Sequence, residues 1–405
     1  MRAIVRGVYV GFLWPCRVAL TCQRVAKTRL KIPLRIRAFP SRRLTAMASP
    51  SEYVVVSLEE AGSFMERCIV AVGANPDHAR DLRELLVSAD YRGHYSHGMY
   101  RLAMYVEDIQ GGTTAKDGAP VILKEMASTA WVDGQNVLGP VVGRFCTDLA
   151  IKKAKETGIG MVSAKGSNHF GIAGWYTMRC TEAGLLGMSF TNTSPLVLPT
   201  RGRTPILGTN PLSLAAPGKD GDDFVLDMAT STVAFGKVEL NDMKKIPIPS
   251  GWGANSKGQV TEDPSEVLQG GGLLALGGPE HLGGYKGYGL SMGVEIMCGI
   301  LAAAHFGPNV RNWKNKGVEA DLGQGFMAIN PDAFAPGFPE RMSEFMNACR
   351  TTEPAEGEKE VLVAGDPERQ HMKKVDADGG LTYHKNLIQL MADLAKDLGI
   401  EPMKP

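Results

Sequence analysis

Arg92-Gly93-His94-Tyr95-Ser96-His97-Gly98-Met99-Tyr100-Arg101 is the stretch from which the rest of the chain is read. Ser96 is of the type that caps a helix N-terminus, which places His97 in the first turn. Arg101 follows four residues later, on the same helix face. An imidazole and a guanidinium then lie side by side where helix N–H groups favour an anion. A proton-exchanging base beside a carboxylate anchor is the pairing that chemistry on a 2-hydroxy or 2-keto acid needs. An exposed polar face has the same spacing, so other segments must decide.

Those segments follow in order. Gly166-Ser167-Asn168-His169-Phe170-Gly171 comes after the apolar run Gly160-Met161-Val162. Then come Thr191-Asn192-Thr193-Ser194-Pro195, Leu207-Gly208-Thr209-Asn210-Pro211-Leu212, Leu226-Asp227-Met228-Ala229-Thr230-Ser231 and Gly284-Tyr285-Lys286-Gly287-Tyr288-Gly289. In this order the set resembles the type-2 malate/L-lactate dehydrogenases, a family that also holds ureidoglycolate and sulfolactate dehydrogenases and 2,3-diketogulonate reductase. The resemblance runs from about Ser57 to the C-terminus. It implies an α/β (α+β) fold of non-Rossmann type, with a largely antiparallel middle sheet domain inserted into a discontinuous helical domain. It also implies NAD or NADP as cofactor and a homodimer with clefts near the interface.

Charge is spread unevenly. Residues 1–51 hold eleven Lys or Arg and no acid, and the whole chain is at +1, so the remainder stands at −10. A net-negative body argues against a nucleic-acid platform. The basic leader reads either as a mitochondrial presequence or as sequence upstream of a start at Met47, which would leave a cytoplasmic protein. Its longest apolar run, Val8 to Trp14, is too short to span a membrane. The seven cysteines form no C-x-x-C pair, which fits reduced thiols rather than disulfides or a zinc site.

The expected organisation is a leader over 1–51, a discontinuous helical outer domain over 52–120 and 285–405, and a cofactor-binding sheet domain over 121–284. Ser57-Leu58-Glu59-Glu60 is a capping box opening a helix that Gly73 ends. Pro76 starts a second helix, to about Tyr91. Short apolar runs at Ile159–Ala164, Gly187–Thr191, Pro211–Ala215 and Phe224–Met228 read as strands. A glycine-rich loop covers Gly251 to Gly284. Tyr288 to Phe306 and Leu381 to Leu398 read as helices, Val361-Leu362-Val363 as a strand, and Gly365-Asp366-Pro367-Glu368 as a turn.

No G-x-G-x-x-G follows a strand in a βαβ unit, so a Rossmann site is not expected. Lys286-Gly287 before an apolar helix reads as a phosphate cradle or as a plain helix start. The resemblance decides for the cradle, because relatives hold the nicotinamide cofactor with the matching Lys-Gly. It also lays Phe224, Val225, Leu226, Asp227, Met228, Ala229 and Thr230 along the cofactor, with Asp227 near the catalytic centre. Asp366, Pro367 and Glu368 match a further cofactor-contacting position. Lys165 matches another in the ureidoglycolate enzymes, where the residue type differs.

The expected roles are these. His97 exchanges the hydroxyl proton, kept neutral by a helix N-terminus. Arg101 holds the substrate carboxylate, with Arg92 as a second ligand or as a brace for the helix junction. Asp227 orients the His97 ring or offsets its charge. His169 acts in the site or shapes its cleft, and His94 is structural. The histidines show no metal-ligand cluster, so no metal is expected. The function expected is an NAD(P)-dependent oxidoreductase of a malate-like or lactate-like 2-hydroxy acid. The alternative is a catalytically inactive cofactor-binding or interaction protein on the same fold. Pro140 stands where ureidoglycolate enzymes carry a His, which turns the reading away from ureidoglycolate.

Overall fold

The structure, a computed structural model, describes residues 52–312, 315 and 317–404. The basic leader, with both of its readings, lies outside the described residues. The chain opens with β1 (Tyr53–Val56), then α1 (Leu58–Ala71) and α2 (Pro76–Tyr91). Ser57 Oγ accepts the Glu60 N–H at 3.1 Å, so the expected capping box forms. Asn75 caps α2, with Pro76 in its first turn. Leu82, Leu85 and Leu86 of α2 are fully buried, each worth about 1.5–3 kcal/mol of transfer free energy. After α3 (Leu102–Gln110) come β2 (Val121–Glu125) and β3 (Thr129–Asp133). Next are α4 (Gly139–Thr157), β4 (Ile159–Ser167), α5 (Gly174–Glu182), β5 (Leu186–Thr191), β6 (Leu212–Ala216) and β7 (Phe224–Met228).

Beyond β7 lies α6 (Phe235–Lys244). The expected glycine-rich loop contains β8 (Gly253–Ala254), β9 (Val260–Thr261), α7 (Pro264–Leu268) and β10 (Gly272–Leu273). Then come α8 (Gly284–Glu295), β11 (Leu322–Ile329), α9 (Phe338–Arg350), α10 (Asp366–Asp378), β12 (Leu381–His384) and α11 (Lys385–Leu398).

The main sheet has the order β2-β3-β4-β11-β5-β6-β7. Only β3 and β4 run parallel; the other pairings are antiparallel, as expected. β11 is its middle strand, although residues 285–405 were expected to belong to the outer segment. Its glycines explain why it does not read as a strand. A Cβ on Gly325 would lie 2.0 Å from the Phe190 ring, and one on Gly323 would lie 2.5 Å from Gly299. Both faces are packed too closely for side chains, so no alternation marks the strand.

Three further expectations are corrected. Leu381–His384 is not the start of the last helix but β12, which pairs with β1 and brings the two ends of the described chain together. Leu381 and Tyr383 are buried and their neighbours half-buried, a period of two. Val361–Val363 forms no strand; the segment touches the sheet where Val225 N–H donates to Ala364 O at 3.1 Å. Asp366–Glu368 opens α10 rather than making a plain turn, with Gly365 at φ +102° before it. The largest apolar core joins α1, α2 and α3 to α4, β3, β4, β12 and α11. No helix among the described residues is long and apolar enough to cross a membrane.

Candidate active site

Asp90, in the last turn of α2, is fully buried and shapes the turn that carries His97. Its Oδ2 accepts the Met99 N–H at 2.9 Å and the Tyr383 O–H at 2.7 Å. A Cβ on Gly98 would lie 1.8 Å from Asp90 Oδ1, so only glycine passes there. The chain makes two 3₁₀ turns, Tyr95–His97 and Met99–Arg101, and α3 starts only at Leu102. This corrects the expected helix capped by Ser96. Gly98 takes a non-helical ψ of −135°, and Asp90 takes the amide that a continuing helix would use. Ser96 Oγ lies instead 2.9 Å from His97 Nδ1. Arg101 becomes the N-cap residue of α3, and its Nε donates to Ser96 O at 2.8 Å.

The two short turns still keep His97 and Arg101 together. Burial pushes the His97 pKa down to about 4, and the Arg101 and His94 charges push the same way. The cause is therefore desolvation and a neighbouring cation, not the helix N-terminus expected from sequence. His97 stacks on His169, with ring centroids 5.8 Å apart and planes at 18°. His169 Nδ1 lies 2.6 Å from the Tyr105 hydroxyl and accepts the Gly171 N–H at 3.3 Å. Burial holds His169 well below the usual histidine range, with His97 and Arg101 adding to it.

A second group adjoins the first. Asp227 Oδ2, on β7, accepts the Gly174 N–H at 2.7 Å at the N-terminus of α5. Burial raises its pKa, while the Gly174 bond and the His94 and Arg92 charges oppose the rise. His94 Nε2 lies 3.7 Å from Glu368 Oε1 on α10. Burial lowers the Arg92 pKa against the pull of Glu368 and Asp227. Asp227 thus sits with Arg92, His94 and Glu368, and its described partners do not include His97. His94 acts electrically on both His97 and Asp227, so it links the groups rather than standing aside. Tyr105 was missed; its signal is an aromatic one helical turn after Arg101.

The remaining expected residues divide. Phe224, Leu226 and Met228 are half-buried on β7, which lies at the edge of the sheet. Thr230 is fully buried and directs both its N–H and O–H at Thr209 and Asn210 carbonyls. Asp366 is held by Arg350 and Arg369 and accepts the Val363 N–H, so its oxygens are engaged within the protein. Those arginines also pair with Asp222, which ties α9 and α10 to the start of β7. Lys165 lies 3.6 Å from Asp133 and over the Trp131 ring. Lys286 is exposed in the first turn of α8, in no ion pair among the described residues. Gly287 is buried; a Cβ there would lie 2.1 Å from Leu276 O, so its smallness serves packing.

The two Thr-Asn motifs meet at Glu295. Asn192 and Asn210 donate to its two carboxylate oxygens at 2.9 and 2.7 Å. The helix then loosens into a π turn over Ile296–Ile300.

The chain matches the family model described as malate/L-lactate dehydrogenase over residues 56–392. It is 40% identical over 355 residues to a malate dehydrogenase of Pyrococcus abyssi, covering 87% of this chain and 97% of that one. It is 30% identical over 327 residues to a ureidoglycolate dehydrogenase (NAD(+)) of Escherichia coli K12, covering 80% and 91%. The solved malate dehydrogenase of Pyrococcus horikoshii superposes with a TM-score of 0.80 at 37% identity, covering 86% and 97%.

Proposed function

The chain belongs to the malate/L-lactate dehydrogenase family, and we propose that it interconverts a small malate-like or lactate-like 2-hydroxy acid with its 2-keto acid, using NAD or NADP. The observation that carries this reading is the His97–Arg101 pair, a neutral imidazole and a guanidinium on consecutive short turns. Arg101 offers the planar fork that suits a carboxylate. His97 takes the hydroxyl proton in oxidation and returns it in reduction. Arg92 and Asp227 set the charge of the adjoining wall, with His94 between them and His97.

When bound, the nicotinamide accepts or returns the hydride. The chain offers residues that fit its phosphates. Lys286 presents an ammonium to solvent at the N-terminus of α8, where helix N–H groups favour an anion. Gly289, one turn on, is open, with no atom within 4 Å of a Cβ placed there. The β7 residues 224–228 and Glu368 are the candidate lining.

The reading includes a homodimer. Tyr285, Met292, Ile296 and Ile300 expose an apolar face on α8 and its π turn, of the kind that a second copy covers. Light scattering on the purified protein tests it: a dimer mass supports the pairing, a monomer mass removes it. The activity test is a panel of 2-keto acids, oxaloacetate and pyruvate first, against NADH and NADPH, followed by nicotinamide absorbance. Turnover of one acid supports the reading; no turnover with bound cofactor favours the inactive alternative.

A further inference from the structure

We propose that His169 is a specificity-determining residue, a neutral imidazole whose Nε2–H donates to an acceptor on C3 of the substrate. The inference rests on the reaction proposed above and adds a third contact to those of His97 and Arg101.

The hydrogen bonds of His169 fix its tautomer. The Gly171 N–H can only donate, and it points at Nδ1. Nδ1 therefore carries a lone pair, the Tyr105 hydroxyl donates to the same atom, and the ring proton sits on Nε2. A proton on Nδ1 would face the Gly171 N–H and lose that bond, and the Tyr105 hydroxyl would have to accept from Nδ1 and turn its own proton to the long His169 O contact at 3.4 Å. Tyr105 is buried, and burial raises its phenol further above the neutral range, so it stays a donor. The ring is held as one fixed donor. Its Nε2 has no partner among the described residues and is not among the buried polar atoms left unpaired. It therefore opens onto accessible space beside His97.

The stacking says which atom it can meet. A ring N–H lies in the ring plane. The two planes are 18° from parallel and the ring centroids 5.8 Å apart, so the two rings address neighbouring atoms rather than converging on one. With the substrate carboxylate on Arg101 and the C2 oxygen on His97, the polar atom left in a small acid belongs to the C3 substituent. In a malate-like acid this is the second carboxylate. In a lactate-like acid C3 is itself the methyl group and carries no acceptor, which leaves the donor unpaired and is disfavoured for that reason.

The test compares kcat/KM for oxaloacetate and pyruvate in the wild type and in His169→Phe, His169→Gln and Tyr105→Phe. Where pyruvate is not turned over, its inhibition constant against oxaloacetate takes the place of kcat/KM. The preference for oxaloacetate should fall about 10- to 150-fold in His169→Phe, the range of a hydrogen bond to a charged acceptor. Glutamine carries an N–H about as far from the backbone as Nε2 and should restore part of that preference. Tyr105→Phe leaves only the Gly171 bond on Nδ1 and should lower it several-fold. An unchanged preference in folded His169→Phe overturns the proposal. So does an equal fall for both acids, which would place His169 on an atom they share. A wild type that turns over neither acid, with either cofactor, instead defeats the reaction assigned above.

Discussion

Replacing Asp90 by asparagine keeps an oxygen to accept from Met99 and Tyr383 but removes a titrating group from the centre of the fold. Burial pushes the Asp90 carboxyl up to about 7 from an ordinary 3.8, against the two hydrogen bonds that favour its charge. Between those values the folded chain keeps the proton that the unfolded chain has released. The folded state then binds more protons, so this group's contribution to stability falls as pH rises from about 4 to about 7. Three pH units at about 1.4 kcal/mol each give a change of about 4 kcal/mol across the window. The assay is urea unfolding of wild type and Asp90→Asn at intervals from pH 4 to pH 8. The difference between the two cancels every group they share. It should shift by about 4 kcal/mol in favour of Asp90→Asn as pH rises, and level off above 7. A difference independent of pH, or one that moves the other way, refutes the reasoning.

Arg101→Lys keeps the charge but loses the planar fork, so it should raise KM for the keto acid with cofactor binding little altered. Arg101→Met should cost about 2–5 kcal/mol in kcat/KM; a lowered melting temperature with unchanged KM would make Arg101 a structural residue. Lys286→Ala should weaken NADH or NADPH binding in a fluorescence titration, and unchanged affinity would leave the α8 N-terminus a plain helix start. Oxidation of the hydroxy acid needs neutral His97, whose pKa is held down to about 4, so kcat/KM in that direction should stay level down to about pH 5. A fall centred near 6.5 would mean an imidazole of ordinary basicity.

What the sequence carries, and what it does not, follows from how each signal arises. Ser57, Asn75 and Pro76 act within one turn of themselves, and the helices they open are where the residues place them. β4 to β7 announce themselves as apolar runs between glycine and proline. β11 does not, because Gly323 and Gly325 are there to let Gly299 and Phe190 approach, and a residue chosen for its neighbour's bulk has no local signature. The His97 turn is similar. Ser96 looks like a cap, yet Asp90, six residues earlier, and Tyr383, on the last strand, decide the geometry through one carboxylate. The candidate residues His97 and Arg101 still lie close together without the helix that was expected to hold them, since two 3₁₀ turns carry them. Asp366 shows the reverse. The resemblance marks it as a cofactor-contacting candidate, but its oxygens are taken by Arg350 of α9 and by Arg369, one turn on along its own helix. The tautomer of His169, in the loop after β4, depends on Gly171 beside it and on Tyr105 of α3.

The central claim is that His97 exchanges the substrate proton. Its most direct test is the turnover of oxaloacetate by His97→Asn beside the wild type, with the preferred reduced cofactor and the melting temperature and cofactor affinity of both proteins measured. Turnover should fall by about two to four orders of magnitude with both of those properties kept. Wild-type turnover in a folded, cofactor-binding His97→Asn protein would contradict the account.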